Sequence, residues 1–173
     1  MEGKIFLIAV IVCITCNIIR FLYEILKHKK IIKANQFTLM IIFTNMALLW
    51  VSWVLLCIND MHRIELFDII RYLGISIVGI GLVVFLMALF TIKTFESYEG
   101  DLITNGIFSK LSHPMYFGFI LWLIGLPIYF GALYAFILAF VFIANVLFWR
   151  YLEEKELVER FSSYMDYKKT TIF

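Results

Sequence analysis

Residues 115–149 read MYFGFILWLIGLPIYFGALYAFILAFVFIANVLFW, thirty-five positions without a charged side chain. As one helix this run would be roughly 52 Å long, against a hydrocarbon core of about 30 Å. It must therefore be divided, and Gly125, Pro127 and Gly131 supply the break. The division leaves a short arm of about 14 residues and a longer one of about 18. The short arm either crosses the bilayer or turns back as a re-entrant hairpin. With either choice, His113 before the run and the tail from Arg150 after it emerge on one side of the membrane.

Composition sets the class for the rest of the chain. Of 173 residues, 63% are hydrophobic and 18% aromatic, and the mean hydropathy of +0.94 exceeds what a single soluble core can hide. A net charge of +2 gives no electrostatic case for a nucleic-acid partner. The expected fold is an all-α integral membrane protein, one domain over 1–173, with about five transmembrane helices. These are 5–26, 37–58, 67–90, 114–128 and 131–149, the last two as a hairpin, followed by a C-terminal amphipathic cytosolic helix.

Working outward toward the N-terminus, the third span carries Gly74, Gly79 and Gly81, which imply close helix packing, and Arg71 near its start reaches back to the surface. In the second span Asn45 and Ser52, seven apart, share a face and pack against another helix. The charge-balanced loop between these spans holds His62, with no second His or Cys nearby to complete a metal site. The first span lacks the basic start and cleavage site of a signal peptide and reads as a retained helix. Its Arg20 and Glu24 either pair or leave Arg20 to snorkel to the interface. Cys13, Cys16 and Cys57 lie in apolar runs and read as small packing residues. Lys27, Lys29, Lys30 and Lys33 crowd one short loop, which the positive-inside rule makes cytoplasmic. With three spans before it, the polar segment 91–113 is cytoplasmic too. So is the tail, with Arg150, Lys155, Arg160, Lys168 and Lys169.

Between the third and fourth spans lies 102–118, LITNGIFSKLSHPMYFG. Asn105-Gly106 is turn chemistry, and Ser112-His113-Pro114 reads as a helix start with Pro114 at its first position. The open N–H groups there suit an anion such as a carboxylate or phosphate. Beyond the hairpin, RYLEEKELVERFSSYMDYKK has the pattern of an amphipathic helix in which Leu152, Leu157, Val158 and Phe161 recur, with Arg150 and Glu154 four apart on one face.

The order of these elements resembles the isoprenylcysteine carboxyl methyltransferase family, whose pattern is L-[VI]-x-x-G-x-[YF], then R-H-P-x-Y, then R-x-x-x-E-E. The likeness covers residues 100–167 and extends to Tyr164 and Tyr167. It implies an integral membrane enzyme that binds S-adenosylmethionine at the cytosolic face and admits a prenylated substrate from the bilayer. By this resemblance Gly100, Asp101, Leu102 and Ile103 form the cofactor loop, and Phe108 a pocket aromatic. His113, Pro114, Met115 and Tyr116 surround the cofactor, Glu154 contacts it, and Arg150 is the catalytic residue that orients the substrate carboxylate. Ser112 stands where the family usually has arginine.

These residue types suit the chemistry. S-adenosylmethionine presents a sulfonium, an ammonium, a carboxylate and an adenine, matched by an acid, a helix start and flat apolar walls. A carboxylate acceptor is already ionised at neutral pH and needs positioning and desolvation, for which Arg150 is suited. An amine acceptor, as in phospholipid N-methylation, needs a proton removed, and His113 is the candidate base. Two other readings stand beside these: an NADPH-dependent enzyme like the sterol reductases, which share an R-H-x-N-Y segment, and a non-catalytic membrane protein.

Overall fold

The computed structural model describes residues 2–32, 35–92 and 101–173. Six α-helices form it: α1 (Glu2–His28), α2 (Gln36–Ile58), α3 (Asp68–Ile92), α4 (Pro114–Phe130), α5 (Leu133–Arg160) and the short α6 (Tyr164–Lys169). A 3-10 turn, Gly106–Ser109, precedes α4. Among the described residues the only extended pairing is an isolated antiparallel bridge between Arg63 and Ala132. Among the described residues four helices are long and apolar enough to cross a membrane: α1, α2, α3 and α5. At 17 residues α4 is also apolar but shorter, about 25 Å at the usual helical rise. Large apolar side chains such as Leu7, Phe43, Ile69, Val83 and Phe140 point outward, as a lipid solvent permits.

Polar side chains join the first helices where water cannot satisfy them. The Sγ of Cys13 lies 3.1 Å from Ser52 Oγ, and Asn45 donates to the Cys16 carbonyl at 3.1 Å. Asn145 on α5 donates to Asn17 Oδ1 at 3.0 Å, tying α5 to α1. Asn45 and Ser52 thus bridge helices as their spacing implied, and all three cysteines are buried and free. The core stripe of α5, Ala135, Ala139, Phe142, Val146 and Trp149, recurs at alternating steps of four and three, the period of one helical face.

Antiparallel α3 and α4 meet through glycines. A Cβ on Gly118 would lie 2.5 Å from the Gly81 carbonyl oxygen, and one on Gly125 2.6 Å from that of Gly74. Gly79 belongs to no such contact, with nothing within 4 Å of its Cβ position, because it lies off the seam. The expected break in 115–149 is also narrower than composition implied. Gly125 is seam, and Pro127 sits inside α4, near its end, where few helical bonds remain to be lost. Gly131 alone turns the chain, at φ +65°, and the Ile64 carbonyl occupies the space a side chain would need.

The loop after α2 locks this turn. Asp60, buried, accepts from the Ala135 N–H at 2.8 Å with one carboxylate oxygen and from the His62 N–H at 2.9 Å with the other. An acid at the start of α5 satisfies an orphan donor and faces the positive end of the helix. Arg63 donates to the carbonyls of Phe130 and Ile58, closing the ends of α4 and α2. Past this turn α5 continues unbroken through Trp149 to Arg160, so the tail residues 150–160 extend a crossing helix rather than forming a separate one. That continuity holds Arg150 and Glu154 in rigid register with the bundle.

Candidate active site

Three segments converge at the end of the bundle opposite the Gly131 turn. Pro114 opens α4 because its fixed φ suits a first helical position, which leaves His113 as the N-cap, buried and facing the last turns of α5. Gly106, at φ +58°, allows the tight 3-10 turn that buries Phe108 beneath α6. The Tyr167 hydroxyl donates to the Phe108 carbonyl at 2.6 Å, fastening that turn to the tail.

Glu154 is the hub. Its Oε1 accepts from Arg150 Nε at 3.1 Å and stands 3.0 Å from the terminal nitrogen of the same guanidinium; its Oε2 accepts from Lys168 Nζ at 2.6 Å. His113 Nε2 lies 3.5 Å from Glu154 Oε1 and 3.0 Å from the Tyr164 hydroxyl. On the opposite edge of the imidazole, Nδ1 is 3.8 Å from Glu153 Oε2. The Tyr116 ring lies 5.8 Å from that of His113. Burial, followed by the Glu154 and Glu153 charges, pushes the Tyr164 phenol up, and burial pushes Tyr167 up to about 12. Both phenols therefore stay protonated and able to donate at physiological pH.

The start of α4 is engaged by the chain itself. The Phe173 carbonyl accepts from the Ser112 N–H at 2.6 Å, from the Ser112 hydroxyl and from the His113 N–H at 3.4 Å. Ile172 N–H donates to the Lys110 carbonyl at 2.9 Å. The Phe173 ring lies under the Arg150 guanidinium at 4.2 Å and against Phe117 at 5.3 Å. Ser112, in the position of the family arginine, is the residue that seats this tail.

The residues singled out by sequence separate into two groups. Phe108, His113, Pro114, Tyr116, Arg150 and Glu154 come together here, with Met115 half-buried on the first turn of α4. Asp101 is exposed and Leu102 and Ile103 half-buried, and none of the three makes a polar contact with the His113–Glu154 cluster among the described residues. Gly100 lies outside the described residues. Sequence reasoning offered Glu153 only as a flanking acid able to stand in for the family's second acid, counted Lys168 only as a basic tail residue, and used Tyr164 and Tyr167 only as pattern. The i,i+3 spacing of the two tyrosines was the available signal, since it puts both phenols on one helix face.

The phospholipid methyltransferase family model matches residues 69–163, more than half of the chain, taking in nearly all of α3 and the whole of α4 and α5 and ending just before α6. The chain belongs to the phospholipid methyltransferase family. Neither the curated proteins nor the solved structures hold a match to it. The phospholipid methyltransferases share a membrane methyltransferase superfamily with the isoprenylcysteine enzymes, so the resemblance in 100–167 is correct at the level of the superfamily. Membership makes the chain a methyltransferase, in a class whose general methyl donor is S-adenosylmethionine. With its long apolar helices, it is a multi-pass membrane protein of the phospholipid methyltransferase family.

Proposed function

We propose that the chain uses S-adenosylmethionine to methylate the amine head group of a membrane lipid. The observation that carries this reading is the setting of His113: a carboxylate stands at each edge of its ring, while Arg150 is already committed to Glu154 and Phe173. The cofactor, when bound, supplies an electrophilic methyl group on a sulfonium. Residues of the right chemistry for it are present: Glu154 for a cationic group, with Phe108 and Tyr116 as flat walls, beside the loop 100–103 and the turn His113–Pro114–Met115. The Ser112 and His113 N–H groups just before α4 are held by the Phe173 carbonyl, so an anionic group that used them would have to displace that segment.

The protein's own part is proton management and positioning. Two oxygens, from Tyr164 and Glu154, face His113 Nε2, so we assign the proton of the neutral ring to Nε2 and the lone pair to Nδ1. Nδ1 then accepts a proton from the acceptor ammonium, freeing the nitrogen lone pair for bond formation, and Glu154 stabilises the resulting imidazolium. Arg150 and Lys168 hold Glu154 in place for this task. The buried surroundings of His113 exclude water. We place the site at the cytoplasmic face, since the basic end of α1 meets the same end of α5, with Lys27 3.5 Å from Glu156 and Lys30 3.9 Å from Glu159.

A second reading has Arg150 orient the carboxylate of a prenylated cysteine. The motif order Arg150-x-x-x-Glu154 favours it, and it requires the guanidinium to leave Glu154. One assay decides between the two: the protein, reconstituted in lipid, receives methyl-labelled S-adenosylmethionine with phosphatidylethanolamine or N-acetyl-farnesylcysteine. Label in the amine lipid is the expected result. Label only in the farnesylcysteine would establish the second reading, and label in neither acceptor would overturn both.

A further inference from the structure

We propose that an open cavity between the ends of α1 and α5 binds the anionic head group of a second membrane phospholipid, one that is not methylated. The cavity, of about 370 Å³, is lined by Lys27, His28 and Lys30 from α1 and the turn after it, and by Glu156, Glu159 and Arg160 from α5. Small-ligand sites usually enclose roughly 300–1,000 Å³, so the space is sufficient for a head group. Lys27, Lys30 and Arg160 outnumber the two carboxylates, which leaves an excess of positive charge.

The ion pairs across this cavity are loose. Lys27 Nζ is 3.5 Å from Glu156 and Lys30 Nζ 3.9 Å from Glu159, against 2.6 Å between Lys168 and Glu154 in the candidate site. Glu156 also faces His28 Nδ1 at 3.8 Å, so one acid is shared between two basic side chains. Among the described residues no carboxylate lies within ion-pair distance of Arg160, whose guanidinium lies over the Phe161 ring at 5.0 Å. Lys30 has a φ of +58°, a backbone conformation that favours glycine. The lysine at this position is accounted for by its side chain, which stands exposed at the mouth of the cavity.

Depth and surroundings favour a lipid. With 27 and 28 residues, α1 and α5 each run roughly 40 Å, against a hydrocarbon core of about 30 Å. The lining residues follow the apolar stretches that end at Leu26 and Trp149, which sets them at the level of head groups. Phe21, seven positions before His28, and Phe148, eleven before Glu159, share those residues' helix faces and stack at 5.0 Å. A cationic rim over an aromatic floor matches a charged head group with acyl chains below it. The methyl acceptor occupies a different place. On α5, Glu156, Glu159 and Arg160 are turned roughly 200°, 140° and 120° from Glu154, at about 100° per residue, so a helix about 10 Å wide separates this cavity from the candidate site. A lipid seated here fastens the end of α1 to the helix that carries Arg150 and Glu154.

The experiment follows the thermal midpoint of the detergent-purified full chain as phosphatidylglycerol, phosphatidylcholine or inorganic phosphate is added. Phosphatidylglycerol is expected to raise the midpoint saturably, and the other two to leave it in place. Lys30→Gly and Arg160→Gln should each weaken its apparent affinity about tenfold, the scale of one charge-assisted hydrogen bond. Lys29→Gln, at an exposed lysine outside the cavity, should stay within about twofold of the parent chain. Because glycine suits the backbone at position 30, the lipid-free midpoint of Lys30→Gly is expected to be no lower than that of the parent. An equal shift with phosphatidylcholine would show that no anionic head group is selected, and an equal shift with inorganic phosphate that no lipid is. Either result overturns the proposal, as does an absent shift with phosphatidylglycerol or a loss of affinity in Lys29→Gln as large as in Lys30→Gly.

Discussion

At the scale of single residues, the candidate site is held by polar contacts between α5, α6 and the start of α4. Tyr164 and Glu154 hold one edge of His113, and Arg150 and Lys168 hold Glu154. Tyr167 ties the turn at Phe108 to the tail. These contacts have a consequence in alkaline solution. The folded Tyr167 phenol ionises at about 12, against an ordinary value of 10.0. Between these values the unfolded chain has lost a proton that the folded chain keeps, so stability falls as pH rises through that window. The thermal midpoint in detergent should therefore drop between pH 10 and 12, and Tyr167→Phe should flatten the drop. An equally steep decline in the variant would show that Tyr167 is not its source. The residue scale is also where sequence was least informative. Lys168 read as one more basic tail residue because its partner Glu154 is fourteen positions away, beyond any helical spacing.

At the scale of elements, the fold depends on where backbones touch. The α3–α4 seam needs the absence of side chains at Gly74, Gly81, Gly118 and Gly125, whereas Gly79 faces open space. Gly81→Ala should destabilise the protein by roughly 1–3 kcal/mol, as overpacking does. Gly79→Ala should be neutral or slightly stabilising, since alanine is the better helix former. Thermal unfolding of both variants in one detergent checks this, and equal midpoints would contradict the seam. The presence of the helices was legible because 115–149 is too long to cross once and the other spans are bounded by charge. Their ends were less so. Pro127 and Gly125 carry the composition of a break, yet one stays in the helix and the other packs, because their neighbours α3 and Gly131 decide the matter. The extension of α5 to Arg160 was hidden for a related reason: polarity begins at Arg150, but helical hydrogen bonding does not stop there.

At the scale of the whole molecule, two ends have different work. One end is a rigid clasp in which Asp60, Arg63 and Gly131 lock the α4–α5 turn. The other gathers His113 with the ionisable groups at the end of α5 and on α6. The general character of this second end was readable from the sequence, since dividing the apolar run brings His113 and Arg150 to one side. Its wiring was not, because the tail folds back by contacts such as Phe173 on Ser112 that no local pattern encodes. The central claim is that the cluster around Glu154 serves a methyltransferase cofactor and no other. Calorimetric titration of the detergent-purified chain with S-adenosylhomocysteine and with NADPH tests it most directly. The account predicts micromolar-range binding of S-adenosylhomocysteine alone, weakened about tenfold or more in Glu154→Ala by loss of a charged partner. Binding of NADPH, or of neither ligand, would contradict it.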